Sequence, residues 1–405
     1  MIENKNNYVK KILENTAIST PSLVYVEEAI DTPLNLIKNH LGEANIHFAL
    51  KCCYNSNVLQ YLSSQGCGVE VMSELEYNLA EKNGFTPSNI IVNGIGRSLE
   101  FLKNAASKNS IVIIDSEEDL EKVQIIQKEA FSKIRLGIRL KIDISEFAYS
   151  PYKNKDNKLG VFPDSALFKK FIEIVSNENC VFELIHCHFT INELSPTIYI
   201  NVLKKIKIFL SELNESYPGI TPNIINIGGG FEVYQIEKLN EFKNLFTSIH
   251  NYFKENFSGY LLAVEPGRYL VNYSGLVKTK VLDKKTFDNK TWLYVDAAAN
   301  MLIPNPNARY SLIHPKGGSN ANENISIGDG ITSPSHVYLD ETKVEQIPNV
   351  NDLIVLGNCG AYTDVYSCFW GRDIYEVFFL KKDGQVLCSR NKEKIAQLRK
   401  LFLDI

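Results

Sequence analysis

The sequence predicts an α/β protein made of a (β/α)8 TIM barrel and a C-terminal β-rich domain of barrel or sandwich type. The chain has 405 residues, more than the roughly 100–200 of a typical domain, which fits a large barrel with an added domain. Between residues 45 and 270, short apolar runs alternate with longer amphipathic stretches. After residue 275, short strand-like runs are separated by turn-rich stretches instead.

Eight apolar runs in the first part are short enough to be strands that are buried on both faces. Helical patterns lie between them, as at 73–81 and 199–213, where apolar residues recur at spacings of three and four. Eight strand–helix repeats in this order favour a TIM barrel over separate α and β domains. The predicted barrel strands are 46–51, 68–71, 90–92, 111–115, 134–140, 182–188, 224–227 and 261–265.

The β-rich domain is predicted from the part that follows the barrel, joined by an apolar run near the N-terminus. We expect residues 28–272 to form the barrel, and residues 1–27 with 273–405 to form the second domain. The predicted elements of that domain are strands at 23–26, 275–282, 292–295, 352–356 and 375–380 and a helix at 392–403.

Composition narrows the class of protein. Hydrophobic residues at 44% and charged residues at 22% are ordinary for a globular enzyme, and the net charge of -4 argues against nucleic-acid binding. The eight cysteines include no C-x-x-C pair, which argues against structural zinc or any other metal. The charged N-terminal stretch lacks the apolar core of a signal peptide, and no run is long enough for a membrane span. We therefore expect a cytoplasmic protein with reduced thiols that binds neither membranes nor nucleic acid.

The C-terminal ends of the predicted strands, where TIM barrels place their active sites, carry chemically distinctive residues. These are Lys51 on the first strand, Glu70 on the second, Arg139 on the fifth, His186 and His188 on the sixth, Gly228–Gly229–Gly230 after the seventh and Glu265–Pro266–Gly267–Arg268 after the eighth.

These residues together describe a pyridoxal phosphate pocket. Desolvation is expected to lower the pKa of Lys51 and leave a neutral amine that attacks aldehydes, unless the side chain only extends to the rim. The glycine run lets backbone N–H groups approach a phosphate, although a tight turn explains it equally well. Arg268 could close that phosphate site or form an ion pair with Glu265. A glutamate would face the ring nitrogen of the cofactor, and a histidine could stack on the ring.

Seven segments, in order along residues 20–385, resemble the fold type III pyridoxal phosphate-dependent decarboxylases. This group contains ornithine, arginine and diaminopimelate decarboxylases and shares its barrel with alanine racemase. The resemblance implies a carboxy-lyase, and a homodimer with shared active sites. The segments are FALKC at 48–52, GVEVMSE at 68–74, KLG at 158–160, HCH at 186–188, IGGGF at 227–231, EPGRY at 265–269 and GAYT at 360–363.

The resemblance also implies roles for single residues. Lys51 would hold the cofactor through its amine, Glu265 would pair with the pyridine nitrogen, and His188 would stack on the ring. Glu70 and Arg139 would support the site around the lysine. The remaining cofactor-binding residues would be Gly228, Gly229, Gly230, Gly267, Arg268 and Tyr362, with Thr190 in place of a phosphate-binding serine of the family.

The main departure from the family pattern is in a catalytic loop. Family decarboxylases carry a cysteine there, contributed by the partner subunit, that protonates the substrate carbon after carbon dioxide leaves. This chain has Ser333 at the matching position, and a hydroxyl is a far weaker acid than a thiol. Ser333 could relay a proton from water or His336, or Cys359 could take over. Alternatively, Ser333 is only a loop residue and catalysis is weak or absent.

The far end of the substrate pocket also differs from that of ornithine decarboxylases. Acids that would hold a terminal ammonium there are replaced by Ala297 and Pro334, so the pocket has no evident preference for free ornithine or lysine. Candidate substrate-binding residues are Asp296, Asp329 and His336, and for an acidic tail Arg97, Arg309, His314 and Lys316.

The expected activity is decarboxylation of an L-amino acid or a derivatised diamino acid, for example a citryl-diamino acid of siderophore assembly. Ornithine for polyamine synthesis and diaminopimelate for lysine synthesis are alternative substrates. An amino-acid racemase on the same barrel and a non-catalytic binding homologue are the alternatives from other classes.

Overall fold

The computed structural model describes residues 2–129, 133–146, 158–177, 179–288, 290–302, 310–313 and 323–404. In chain order the helices are α1 Ile2–Glu14, α2 Glu27–His40, α3 Ser56–Ser64, α4 Glu74–Lys82, α5 Leu99–Ser107, α6 Glu117–Glu129, α7 Ala166–Val175, α8 Pro196–Ser216, α9 Leu239–Asn256, α10 Arg268–Val271 and α11 Lys392–Leu403. The strands are β1 Ser22–Val26, β2 Asn45–Ala49, β3 Gly68–Val71, β4 Ile90–Val92, β5 Ile111–Ile114, β6 Ile134–Arg139, β7 Cys180–His186, β8 Ile224–Asn226, β9 Leu261–Val264, β10 Gly275–Phe287, β11 Lys290–Val295, β12 Ser311–Ile313, β13 Glu323–Asp329, β14 Val337–Val344, β15 Leu353–Gly357, β16 Glu376–Leu380 and β17 Val386–Arg390.

Strands β2 to β9 form a closed parallel barrel, in which each strand pairs with the next and β9 pairs back onto β2. All eight predicted strands are present, most of them within one or two residues of the expected bounds. The predicted TIM barrel with a second, strand-rich domain is therefore confirmed.

The barrel interior has an apolar lower part and a polar upper part. Because side chains alternate along a strand, every second residue points inward. Six inward residues in the lower part form one buried apolar cluster: Ile91, Ile111, Ile113, Leu184, Ile224 and Ala263. The next inward positions toward the C-terminal ends hold Glu70, Asn93, Asp115, Arg139, His186, Asn226 and Glu265.

Local sequence explains where the outer helices begin. The side chain of Asn55 accepts hydrogen bonds from the first turn of α3, and the hydroxyls of Ser73, Ser98 and Ser165 do the same for α4, α5 and α7. These caps satisfy backbone N–H groups that have no partner within the helix. Each strand is therefore followed by a helix that starts at a defined residue, which fixes the loops at the C-terminal face of the barrel.

The second sheet is mixed and contains nine strands among the residues described. Its order runs β14-β13-β11-β10-β1-β16-β17, with β15 pairing with β10 and β12. The N-terminal strand β1 is antiparallel to β10 and parallel to β16, so both ends of the chain contribute to this sheet. The domain boundaries at 27/28 and 272/273 stay a prediction.

Several elements were not predicted from the sequence. Helix α1 has few apolar residues, but two of them, Val9 and Ile12, are buried against the second sheet. Strands β12, β13, β14 and β17 were also missed. Strands β13 and β14 carry many polar residues, and β12 and β17 have only three and five residues.

Two further properties bear on the expected class of protein. No helix in the described ranges combines the length and the apolar character needed to cross a membrane. All eight cysteines are free thiols, six of them buried and two, Cys368 and Cys388, exposed.

Candidate active site

A cavity of about 180 Å³ lies at the C-terminal ends of the barrel strands. Eight of the residues that line it were predicted from the sequence as site residues. Four other predicted residues, Glu70, Arg139, Gly228 and Gly229, are absent from the lining and belong to the layer beneath or beside it. The lining residues are Ala49, Lys51, Cys52, His188, Thr190, Ile191, Gly230, Glu265, Gly267, Arg268 and Tyr362.

Lys51 and Glu70 form an ion pair at one side of the cavity. Lys51 lies in the short 3-10 turn after β2, and Glu70 is paired in register with Ala49 on the neighbouring strand. Nζ of Lys51 is 2.9 Å from Oε2 of Glu70, whose side chain is only 4% exposed. Burial by itself lowers the pKa of the Lys51 amine. The opposite effect of Glu70, with smaller contributions from Cys52 and Glu265, is larger, so the net pKa is above its usual value. The predicted lowering of this pKa is therefore wrong, because the sequence did not reveal that Glu70 pairs with the amine.

Glu265 is held from below by two neighbours. Its Oε1 accepts a hydrogen bond from Asn226 (2.7 Å), and its Oε2 lies 3.0 Å from Nε2 of His186. Burial alone raises the pKa of the Glu265 carboxyl, but His186 and the ammonium of Lys51 outweigh it and hold the pKa well below the usual range. An ionised carboxylate therefore borders the cavity, with both oxygens fixed in place.

The parts played by Asn226 and His186 were not predicted from the sequence. The oxygen of Asn226 also accepts the N–H of Gly228 (2.8 Å), so one amide fixes both the carboxylate and the start of the glycine run. The signal that could have found both residues is their place in the sequence, at inward positions on the level of the predicted site residue Arg139.

The glycine run is packed too tightly for any other residue. A Cβ on Gly229 or Gly230 would lie closer than 3.0 Å to the backbone oxygen of Glu265 or Thr190, and Gly230 also has a φ of +80°. The N–H of Gly228 is used by Asn226, and the N–H of Gly229 donates to Nδ1 of His188 (3.3 Å). Only Gly230 of the three lines the cavity. The predicted contact of the three glycines with a phosphate stays a prediction.

His188 presents a neutral ring to the cavity. Its pKa is lowered to about 3, chiefly by burial and further by the nearby cations Arg139 and Lys51 and by His186. The ring lies nearly parallel to that of His186, with an interplanar angle of 16°. A flat, uncharged ring in this position can stack on an aromatic ligand.

The other end of the cavity is rich in groups that suit an anion. Arg268 follows β9, Thr190 follows β7, and Tyr362 comes from the second domain. The N–H of Tyr362 donates to the carbonyl of Cys52 (2.8 Å), which ties the second domain to the barrel beside Lys51. Cys52 was not predicted as a lining residue, and burial raises the pKa of its thiol.

The residues predicted for proton transfer lie elsewhere in the chain. Ser333 is half-buried between β13 and β14, with its hydroxyl 2.9 Å from that of Ser335. His336 is buried, packs edge-on against Trp370, and has its Nδ1 3.5 Å from Asp329. Neither Ser333 nor His336 lines the Lys51 cavity of its own chain, so their catalytic roles stay predictions.

The predicted substrate-binding residues are also dispersed. Asp296 lines a different cavity, of about 470 Å³, and its Oδ1 accepts hydrogen bonds from Thr279 and from the N–H of Lys280. Arg97, predicted to bind an acidic tail, is buried, forms an ion pair of 2.8 Å with Asp119 and does not line the Lys51 cavity. Arg309, His314 and Lys316 lie outside the described residues.

Comparison with known proteins gives consistent matches over the whole chain. The family model of the pyridoxal-binding domain of pyridoxal-dependent decarboxylases matches residues 27–272. The diaminopimelate decarboxylase of Aquifex aeolicus is 25% identical over 395 residues, which cover 95% of this chain and 92% of the relative. An L-glutamyl acyl-carrier-protein decarboxylase of Niallia circulans is 24% identical over 399 residues, covering 92% and 91%. The solved diaminopimelate decarboxylase of Methanocaldococcus jannaschii has the same fold, with a TM-score of 0.84, 23% identity and coverage of 96% and 93%.

The residues around the cavity fit the cofactor that the family model names. Lys51 provides an amine, Glu265 an ionised carboxylate and His188 a neutral ring, all within one lining. At the opposite end, Arg268, Tyr362 and the backbone of Gly230 offer positive charge and hydrogen-bond donors for a phosphate. This order of groups is the one that a phosphorylated pyridine aldehyde requires.

Proposed function

Because the chain belongs to the family of pyridoxal-dependent decarboxylases, we propose that it decarboxylates an L-amino acid whose far end carries no free ammonium. The chain is a carboxy-lyase with pyridoxal phosphate as its cofactor. More specifically, we propose that the substrate is a derivatised diamino acid, such as a citryl-diamino acid of siderophore assembly. The α-carboxylate leaves as carbon dioxide, a proton takes its place on the α-carbon, and the product is an amine.

The observation that carries the proposal is the lack of a free acid near the substrate. Among the described residues that line the cavity, Glu265 is the single carboxylate, and Asn226 and His186 already hold it. Ala297 is fully buried, and Asp296 is bound to Thr279 in another cavity. A free terminal ammonium would thus be desolvated without a counter-charge, which disfavours ornithine and lysine.

Each group of the cavity has a task in this reaction. Pyridoxal phosphate, when bound, draws electrons away from the α-carbon as the carboxylate leaves. Lys51 supplies the amine that holds the cofactor, and Glu70 keeps that amine in place at 2.9 Å. Glu265, ionised and fixed by His186, would accept the N–H of the pyridine ring, and His188 would support the ring face. Arg268 and Tyr362 would hold the phosphate.

For the final proton we propose Ser333 of a partner subunit in a homodimer. The loop of Ser333 does not line the cavity of its own chain, which supports a shared site. Cys359 is an unfavourable substitute, because its Sγ is fully buried and lies 3.3 Å from the carbonyl oxygen of Gly357. A cytoplasmic location is part of the same proposal.

Diaminopimelate decarboxylation is the second candidate, and a different observation favours it. Several relatives along most of the chain bear that name. Diaminopimelate ends in an amino-acid group, whose carboxylate would partly balance the ammonium. The L-glutamyl acyl-carrier-protein decarboxylase instead acts on a derivatised substrate, in agreement with the first candidate.

The test is a substrate panel with the purified holoenzyme. Carbon dioxide release is measured with N-citryl-ornithine, a glutamyl thioester, meso-diaminopimelate, L-ornithine, L-lysine and L-arginine, with Lys51→Ala as the inactive control. We expect kcat/KM for a derivatised substrate to exceed that for every free diamino acid at least about tenfold, since an unpaired buried charge costs more than 1.4 kcal/mol. A preference for meso-diaminopimelate or ornithine would overturn the proposal. Exchange of the α-proton without carbon dioxide release would indicate a racemase, and no reaction with any substrate a binding homologue.

A further inference from the structure

A row of polar residues crosses the barrel directly below the cavity. Arg139 on β6 is paired in register with His186 on β7, and His186 with Asn226 on β8. Ile114 pairs with Ile138, so the next residue, Asp115, stands at the level of Arg139. Asp115, Arg139, His186 and Asn226 therefore form one level of inward side chains on four consecutive strands.

Among the residues that the structure describes, two atoms in this row are buried without a hydrogen-bond partner. Nδ1 of His186 has none, although its Nε2 contacts Glu265. Oδ2 of Asp115 has none either, although its Oδ1 accepts the N–H of Gly160. The two residues are only 1% and 8% exposed. A buried polar atom without a partner costs about 1–3 kcal/mol, so two of them at one level of one barrel call for an explanation.

Asp115 and His186 stand on strands that are two apart in the barrel, because β6 lies between β5 and β7. Strands two apart in a sheet are separated by roughly 9–10 Å, and inward side chains converge toward the barrel axis. Burial raises the pKa of the Asp115 carboxyl, and the N–H of Gly160 and the guanidinium of Arg139 act against it. Buried polar atoms that lack a protein partner are the kind of group to which internal water binds in proteins.

We propose that a buried water links Asp115 to Nδ1 of His186 and that Asp115 thereby acts as a positioning residue for Glu265. The water donates one hydrogen to Nδ1 and the other to Oδ2, and it accepts from the guanidinium of Arg139. If Asp115 is protonated, the carboxyl donates to the water and the water still donates to Nδ1. In both cases Nδ1 is an acceptor, so in this arrangement the ring proton of His186 lies on Nε2 and points at Glu265.

The consequence is that Asp115 fixes which ring nitrogen of His186 carries the proton, and thereby how Glu265 is held beneath the cofactor. With its proton on Nε2, His186 donates to Oε2 of Glu265 while Asn226 donates to Oε1. With the proton on Nδ1, two acceptors would face each other and Glu265 would be displaced. The proposal concerns the cofactor side of the site and is independent of which amino acid is the substrate.

The test uses the holoenzyme labelled with ¹⁵N at its seven histidines. The spectrum of His186→Gln assigns the His186 signals, and the ¹⁵N shifts of wild type report which ring nitrogen carries the proton. Asp115→Leu removes the acceptor with little change of volume, and Asp115→Asn keeps a group that can bind the water. Asp31→Asn, which removes a half-buried carboxylate far from the barrel interior, is the matched control. The dissociation constant of pyridoxal phosphate is measured for each variant.

We expect His186 of wild type to be protonated on Nε2 alone. Asp115→Leu should lose this preference and bind pyridoxal phosphate about tenfold more weakly, the lower end of what removal of an outer hydrogen-bonding partner costs at metal sites. For Asp115→Asn and Asp31→Asn, the dissociation constant of pyridoxal phosphate should stay within about threefold of the wild-type value. A proton on Nδ1 in wild type would overturn the proposal by itself, even if Asp115→Leu did not fold. An unchanged tautomer and affinity in Asp115→Leu would do the same. A wrong substrate assignment would leave all these readings unaltered.

Discussion

Substitution of Gly230 by alanine tests whether the glycine run holds the phosphate of the cofactor. Gly230 lines the cavity beside Thr190 and has a φ of +80°, a conformation that L residues rarely adopt. An added Cβ would lie closer than 3.0 Å to the backbone oxygen of Thr190, which no flexible side chain can relieve. Either the glycine run or the segment around Thr190, which follows β7, must therefore move.

The expected loss follows from that movement. A displacement large enough to relieve the overlap breaks a hydrogen bond between the Gly230 N–H and a phosphate oxygen. A bond of this charged kind contributes about 1.5–3 kcal/mol, so the dissociation constant of pyridoxal phosphate should rise about 10- to 100-fold. The left-handed backbone adds about 1–2 kcal/mol of strain to the folded state.

The assay is a titration of the apo protein with pyridoxal phosphate, followed by its absorbance, together with urea unfolding. Gly219→Ala is the matched control, because Gly219 has a φ of +83° but no atom within 4 Å of an added Cβ. The control should lose about 1–2 kcal/mol of stability and keep its affinity. If Gly230→Ala binds pyridoxal phosphate as wild type does, the glycine run does not hold the phosphate and the reasoning is refuted.

Three further outcomes are expected. Lys51→Ala should lose the visible absorption of the covalently held cofactor after dialysis, and a retained band would refute the assignment of Lys51. Arg97→Met should lower the free energy of unfolding by about 3–5 kcal/mol, because it leaves the buried carboxylate of Asp119 without its ion-pair partner; the double variant with Asp119→Leu should recover most of that loss in urea titrations. His47, buried with its pKa lowered from 6.5 to about 4, should contribute stability that is complete above pH 6.5 and lost as the pH falls toward 4, up to about 3 kcal/mol. The unfolding free energy of His47→Gln should accordingly vary less between pH 6.5 and 4.5 than that of wild type. An equal variation in the two proteins would contradict the lowered pKa of His47.

Much of the fold could be predicted because the barrel strands are buried on both faces. Such strands are continuous runs of isoleucine, valine and leucine, as at 90–92 and 111–114. Their order then implies a barrel. Strands β13 and β14 were missed because their burial depends on neighbours that are distant in the sequence. Helix α1 was missed for the same reason, since Val9 and Ile12 are apolar but too few to make a pattern.

The candidate site divides in a similar way. Eight of its lining residues could be predicted, because the ends of parallel strands meet at one face of a barrel and chemically unusual residues stand out there. The buried ion pair of Arg97 with Asp119 was not predicted, because a loop arginine gives no sign that a buried aspartate lies opposite it. The role of Ser333 stays a prediction, because its loop does not line the cavity of its own chain.

The sequence by itself determined the class of fold and which residue types stand at the strand ends. The spacing of apolar residues and the order of strands and helices are properties of the chain alone. Only the tertiary structure decided the protonation of those residues. Lys51 is charged because Glu70, from another strand, lies 2.9 Å away. Glu265 is ionised because His186, from another strand, and the ammonium of Lys51 hold its pKa well below the usual range. The pKa of a buried group depends on the charges and donors within a few ångströms, and those neighbours are brought together only when the barrel closes.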